Sequence, residues 1–229
     1  MQQNFIFNYM MTWYNCLMGS QKSSVSRLLT KGCSHLGLDL SKSQLRALEM
    51  HIEYIAKWNQ RVNLTSILDF EQMVVRHILD SLAILPYVRG SRLLDIGSGG
   101  GFPGVPIAIT HTGIEIVLLD SNKKKTEFLG HVKTQLELSN VSVIHERIEN
   151  YRPVETVHTL TARAVGSIQR VLGQVQSLGH PSTRLLVMKG KNPESEIQDL
   201  ILDRDQDISI VELDVPYLNA DRNLVVIEF

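Results

Sequence analysis

The sequence predicts an α/β fold: a doubly wound, mostly parallel seven-stranded sheet with helices on both faces and a helical appendage in front. Three observations predict it. From Arg92 onward, short apolar runs alternate with helical stretches, as in a parallel sheet covered on both sides. The stretch LLDIGSGGGFPGVP, Leu93 to Pro106, places five glycines and two prolines directly after the start of the first such run. The next run ends in an acid, Asp120.

Taken in order, residues 1–22 are expected to be a poorly ordered leader. Positions 1–18 hold no Lys or Arg, so the basic start of a secretory signal is missing, and polar residues break the run well short of the roughly 20 apolar residues that span a bilayer. Met10, Met11 and Met18 offer alternative starts. Residues 23–89 form the helical appendage. There SKSQ is a capping box, with Ser41 at the cap and Gln44 reaching back; Leu45, Leu48, Ile52, Ile55 and Trp58 then share one stripe of a helix expected to end near Asn63. A second helix is expected from Phe70 to Tyr87, with Met73, Val74, His77, Ile78, Ser81, Leu82 and Leu85 facing inward. Residues 90–229 form the sheet domain. Its expected strands are Arg92–Ile96, Glu115–Leu119, Ser142–His145, Thr159–Ala162, Arg184–Met188, Ser209–Glu212 and Leu224–Phe229. Helices are expected at Val105–Thr110, Lys123–Leu138, Ser167–Leu178 and Pro193–Leu202. The last two strands lack an intervening helix, which implies an antiparallel finish.

Of 229 residues, 43% are apolar and 21% charged, ordinary values for one globular domain with an appendage. Two cysteines, Cys16 and Cys33, give neither a disulfide framework nor metal-ligand spacing, so a reducing cytoplasm is expected, with no metal and no membrane. A formal net charge of −1 argues weakly against a nucleic-acid partner. The average hides an uneven distribution: acids crowd Pro193 to Asp214, while Lys123, Lys124, Lys125, Arg147, Arg163, Arg170, Lys189 and Lys191 lie around the middle. A local basic face is compatible with that pattern.

Glycine lets backbone approach a ligand closely and tolerates left-handed φ, at an entropic cost that a purely structural loop avoids. In a doubly wound sheet the first strand-to-helix turn carries the ligand contact, and Leu93 to Gly104 occupies that place. The dinucleotide fingerprint GxGxxG needs glycine where Phe102 stands; Gly97, Gly99 and Gly101 give GxGxG instead. No GxxxxGK[ST] cradle for a triphosphate occurs. Asp120 lies 23 positions beyond Gly97, where a carboxylate can accept both hydroxyls of a ribose. Ribose without pyrophosphate points to an adenosyl ligand, with Asp95 orienting the loop and meeting the ligand's ammonium end. The bland alternative makes the glycines a mobile loop and Asp120 a cap for the following helix. The pattern D-x-G-x-G-x-G followed by a strand-end acid resembles the class I S-adenosylmethionine-dependent methyltransferases, a Rossmann-like fold.

Closer resemblance rests on WNQRVNLTSI (Trp58 to Ile67), RHILDSL (Arg76 to Leu82), LLDIGSGGGFPGVPIAI (Leu93 to Ile109), LLDSNKKKTEFL (Leu118 to Leu129), ARAV (Ala162 to Val165) and LVMKG (Leu186 to Gly190). In order and spacing, from about residue 23 to the C-terminus, these are similar to the bacterial small-subunit ribosomal RNA guanine-N7 methyltransferases, the RsmG or glucose-inhibited division protein B family. The resemblance implies methyl transfer from S-adenosylmethionine to N7 of one guanine in the decoding region of 16S ribosomal RNA, by a monomer acting on the small ribosomal subunit. It also implies cofactor contacts at Gly97, Phe102, Ile148, Glu149 and Arg163. Ser98 and Gly100 depart from the family's usual Thr or Ala and Pro, which implies a more flexible loop.

The chemistry is consistent with this. Guanine N7 carries an in-plane lone pair in the neutral base and needs no general base; alignment is the main requirement, and positioning can supply on the order of 7–11 kcal/mol. Cytosine C5 methylation would need a cysteine near the later strands, and adenine amino methylation goes with a [DN]PP[YF] turn where Ala162-Arg163-Ala164-Val165 stands. Arg163, at a strand end, is expected either to contact cofactor or guanine or to pair with an acid such as Glu149 or Asp120. Lys189, read as an exposed strand-end lysine, is a candidate for touching RNA phosphate or orienting the base. Lys123, Lys124 and Lys125 sit where a helix dipole disfavours cations, which suggests an anionic partner, although a solvated charged face is the commoner origin of such runs. His77, with Asn63, Arg76 and Asp80, is assigned to the junction between appendage and sheet, and NLT at Asn63 to Thr65 is a chance glycosylation match. Two other functions stay open from the residues alone: a methyltransferase of a small metabolite, and a nucleotide-binding regulatory module without catalysis.

Overall fold

The computed structural model describes residues 23–191, 193–198, 200 and 206–229; the expectation of a leader at 1–22 and the end of the helix expected to reach Leu202 lie outside them. The seven strands are β1 (Arg92–Ile96), β2 (Glu115–Asp120), β3 (Val141–His145), β4 (Thr159–Arg163), β5 (Arg184–Lys189), β6 (Asp207–Glu212) and β7 (Asn223–Glu228). They form one sheet in the order β3-β2-β1-β4-β5-β7-β6. The first five run parallel, and β7 is antiparallel to both β5 and β6. β1 and β4 are neighbours although two other strands separate them in sequence, so the chain reverses direction across the sheet between them. Ligands bind outside the carboxyl ends of strands at such a switch point.

Helices α1 (residues 23–35), α2 (Lys42–Trp58), α3 (Phe70–Met73), a π-helical turn (Val74–Leu79) and α4 (Asp80–Leu82) build the appendage. The sheet domain adds α5 (Gly104–Thr110), α6 (Lys123–Gln135), α7 (Ile168–Val175) and α8 (Glu194–Gln198). The capping box forms as expected: the Ser41 hydroxyl accepts from the Gln44 N–H, and the Gln44 side chain accepts from the Ser41 N–H. α2 ends at Trp58, short of Asn63, because Asn59 turns the chain. Its amide oxygen accepts from the Leu64 and Thr65 N–H groups, and its nitrogen donates to the Thr65 carbonyl. The single helix expected from Phe70 to Tyr87 is broken into α, π, α and 3-10 pieces. Its widened middle lets the Arg76 carbonyl accept from the Arg163 guanidinium at 2.6 Å, a contact between residues 87 apart that no local pattern encodes.

Strand alternation divides the core in two. Leu93, Ile116, Leu118, Leu186 and Leu224 face one side, where they pack with Val105, Phe128 and Leu129. Leu94, Val117, Leu119, Leu185 and Val225 face the other, against Ile168, Val171, Leu172 and Val175 of α7. Successive residues of each strand thus serve opposite layers. Val25, Leu29, Cys33, Leu48, Ile52 and Ile55 of the appendage belong to the first of these clusters. The appendage therefore shares the domain's core. Burial there pushes the Cys33 thiol up to about 12, the state of an inert packing cysteine.

Candidate active site

At the carboxyl edge of the sheet two cavities meet at Val165. The first is a groove of about 150 Å³ between the ends of β1, β2 and β3 and the start of α7, lined by Ile96, Gly97, Asp120, Ile148 and Glu149 among others. The second, about 260 Å³, lies beyond the ends of β4 and β5 and is lined by Asp80, Arg163, Met188, Lys189 and Arg222 among others.

The turn after β1 is built almost entirely by main chain. Gly97 and Ser98 both donate to the Leu119 carbonyl, Gly101 and Phe102 donate to the Ser98 carbonyl, and the Gly99 N–H is held by Asp120 Oδ2 at 2.9 Å. Gly97 has φ +67, and a Cβ there would come within 2.5 Å of Val165, the residue that parts the two cavities. Its bareness makes room for the Val165 side chain at the mouth of the groove. Gly101 and Gly104 are likewise bare against neighbouring side chains. A Cβ on Gly101 would meet Val105 at 2.6 Å, and one on Gly104 would meet Leu118 at 2.3 Å and Asp95 Oδ2 at 2.9 Å. These two glycines leave room for packing around the turn. Gly99 stands between the two, with the Lys125 ammonium 4.0 Å from where its Cβ would be.

Asp95 is fully buried. Its carboxylate accepts from the Gly104 N–H at 3.1 Å and the Thr161 hydroxyl at 3.1 Å, while burial pushes it up to about 6. It bonds the Gly104 N–H at the far end of the loop and lines neither cavity. Asp120 does line the groove. Its Oδ1 accepts from the Asn122 N–H at 2.8 Å and its Oδ2 from Gly99, and each carboxylate oxygen retains a further lone pair. The cap of the next helix is Asn122, whose side chain accepts from the Lys124 N–H. Ile148 and Glu149 face the same groove, and the Glu149 carboxylate is held below its usual range by its own N–H and the Gln174 amide.

Phe102 does not line the groove. Its ring is sandwiched between His51 and His77, with centroids at 4.8 and 4.6 Å, and the Arg163 guanidinium lies 5.8 Å away on the same ring. The acid paired with Arg163 is neither Glu149 nor Asp120. It is Asp80, at 3.2 Å, and the second oxygen of that carboxylate accepts from Arg222 Nε at 2.9 Å. Burial pushes Asp80 upward and the two guanidinium groups pull it back. Lys189 is not a free exposed lysine: its ammonium pairs with Glu196 at 2.8 Å and donates to the Gly166 carbonyl at 3.0 Å. The lysine run at the start of α6 divides, Lys123 and Lys124 standing exposed while Lys125 is half-buried over the glycine turn.

Two contributors, His51 and Arg222, escaped the sequence reading. His51 sits on the apolar stripe of α2 and bonds the Gly100 carbonyl; a histidine amid that stripe was the available signal. The pairing of Asp80 with Arg163 and Arg222 had none, since Asp80 and Arg222 are 142 residues apart. Among the described residues no group of three or more metal-ligating side chains converges, and no helix is long and apolar enough to cross a membrane.

The strand order, the left-handed glycine opening on a groove and the acid at the end of the next strand define a class I S-adenosylmethionine-dependent methyltransferase. The same fold appears in solved structures: the B. subtilis tRNA methyltransferase TrmK (16% identity, TM-score 0.54, covering 66% of this chain and 64% of that one) and MtNAS in complex with S-adenosylmethionine (13% identity, TM-score 0.52, covering 92% and 90%). The model of the family described as GidB, rRNA small subunit methyltransferase G, matches residues 44–225, and the chain belongs to that family. The protein named ribosomal RNA small subunit methyltransferase G in Nitrosococcus oceani is 43% identical over 86% of this chain and 92% of its own length. Its namesake in Coxiella burnetii strain Dugway is 38% identical over 87% and 96%.

Proposed function

We propose that this protein transfers a methyl group from S-adenosylmethionine to N7 of a guanine in the decoding region of 16S ribosomal RNA, in the cytoplasm. The family match across residues 44–225 carries this reading, and the groove beside Gly97 has the chemistry for the cofactor. Gly97 and Val165 shape its mouth, Asp120 offers lone pairs to ribose hydroxyls, and Ile148 gives an apolar surface to an adenine ring. When bound, S-adenosylmethionine supplies an electrophilic sulfonium methyl.

The chain's own contribution is placement. The 260 Å³ cavity adjoins the groove through Val165 and is the place for the acceptor base. Arg163 and Arg222 share one carboxylate there while Lys189 is neutralised by Glu196. One guanidinium charge is thus left over in the cavity, suited to the O6 acceptor beside N7 of guanine or to the nucleotide's phosphate. Neutral N7 needs no base to remove a proton, so the site needs alignment only. Lys123 and Lys124 are proposed to meet RNA phosphate.

The test is methyl transfer to small ribosomal subunits lacking the modification, with the methylated base mapped by mass spectrometry. Label on a single 16S guanine is expected, carried at N7. Absence of label from 16S RNA, with cofactor binding intact, overturns the RNA assignment.

A further inference from the structure

The glycine turn is anchored at its two ends by different parts of the chain. At the front, Gly97 and Ser98 hang on the Leu119 carbonyl at the end of β2. At the back, His51 Nε2 lies 2.8 Å from the Gly100 carbonyl. A carbonyl can only accept, so Nε2 carries the proton and His51 is the donor. Among the described residues it is the one appendage side chain recorded bonding the main chain of this turn.

The cost of keeping an imidazole there is visible. His51 is completely buried, and its other nitrogen, Nδ1, is buried with no hydrogen-bond partner. A residue serving only to fill that space would be apolar, because an unsatisfied buried polar atom is destabilising. Burial also lowers its pKa to about 4, so at neutral pH the ring is an uncharged donor. Geometry leaves it little freedom. The ring packs on Phe102 at 4.8 Å, and a Cβ on Gly101 would stand 3.3 Å from Nε2. Helix, ring and turn are in direct contact.

We propose that His51 is a positioning residue for the cofactor: by holding the Gly100 carbonyl, it fixes the turn in the shape that opens Gly97 to the groove, so the helical appendage completes the cofactor site. This rests on the groove being the cofactor site. A helix of the appendage is then part of the machinery that binds the small molecule.

The test uses the full chain and two substitutions. His51→Phe keeps an aromatic ring for stacking, at a somewhat larger volume, but removes the donor; His51→Gln places an amide N–H within similar reach. His51→Phe is expected to weaken binding of S-adenosylhomocysteine in calorimetry about tenfold, the loss expected when one buried hydrogen bond goes. The KM for S-adenosylmethionine should rise in parallel, while kcat at saturation and the KM for ribosomal subunits stay within about twofold. His51→Gln should recover most of the affinity. Cofactor affinity unchanged in His51→Phe, or equally weak in both variants, overturns the proposal, whatever happens to the melting temperature. If His51→Phe does not fold, the wild-type protein labelled with 15N-histidine decides. A shift of the His51 Nε2–H resonance on titration with S-adenosylhomocysteine supports the positioning role, and an unmoved resonance at saturation overturns it. Failure of the wild-type protein to bind S-adenosylhomocysteine at all would instead remove the groove assignment beneath it.

Discussion

The groove on one side of Val165 is walled by strand ends and the turns that follow them, whereas the cavity on the other side is closed by Asp80 and Arg222, 142 residues apart. In the groove, function depends on backbone: Gly97 at φ +67 and N–H groups already committed to Leu119, Ser98 and Asp120. In the cavity it depends on ionised side chains arriving from β4, from the approach to β7 and from the appendage. The difference teaches that a site can be shaped by main chain on the side proposed for the cofactor and by distant side chains on the side proposed for the acceptor. Removing the key residue should therefore hurt the two halves differently.

The largest effect is expected from Asp80→Ala. Removing one partner of a buried ion pair strands the other charge and typically costs 3–5 kcal/mol; here two guanidinium groups would lose their common anion. Urea unfolding should show a loss on that order, and a loss under about 1 kcal/mol would mean the cavity is not closed by this carboxylate. On the groove side, Asp120→Ala is expected to weaken cofactor binding by no more than a few kcal/mol, since a hydrogen bond to a charged group contributes about 1.5–3 kcal/mol. Calorimetry giving wild-type affinity would take Asp120 out of the site.

A pH measurement sharpens the contrast. The Asp95 carboxyl beneath the glycine turn is raised by burial to about 6 from an ordinary value near 3.8. Between those values the folded chain holds a proton that the unfolded chain has released, so this group's contribution to stability is present at low pH and is lost as pH rises through the window. Wild-type protein should lose up to about 1.4 kcal/mol per pH unit more than Asp95→Asn between roughly pH 4 and 6. Parallel stability curves would show that Asp95 titrates normally. The smallest effect is expected from Lys189→Ala. Its partner Glu196 keeps 40% of its side chain accessible, against 16% for Lys189, and pairs open to solvent contribute only about 0.2–1 kcal/mol. Stability should barely change, and a fall in methyl transfer without a change in melting temperature would give Lys189 a role with RNA.

Much of the architecture was legible because its causes are local. The strand at Arg92–Ile96 was placed to the residue, and Ser41 with Gln44 capped α2 as their spacing required. Other boundaries slipped where a distant partner intervened. Asn59 ended α2 by bonding Leu64 and Thr65, and the helix around Arg76 opened where its carbonyl meets Arg163. The glycine turn was recognised, yet its glycines could not be sorted by sequence. Which side chain fills the space of a missing Cβ, Val165 at the groove mouth for Gly97 or Val105 and Leu118 for Gly101 and Gly104, depends on what lies across from it.

By itself the sequence determined the alternation of strand and helix, the bare turn after the first strand and the acid that ends the second, because periodicity, φ preference and strand-end position are properties of short stretches. Tertiary structure alone decided that Arg163 pairs with Asp80, that Arg222 joins them, that Lys189 is occupied by Glu196 and that His51 reaches under the turn. Those contacts are set by how a helical appendage seats on one face of a sheet, where burial makes every charge and every N–H find a partner regardless of its distance along the chain.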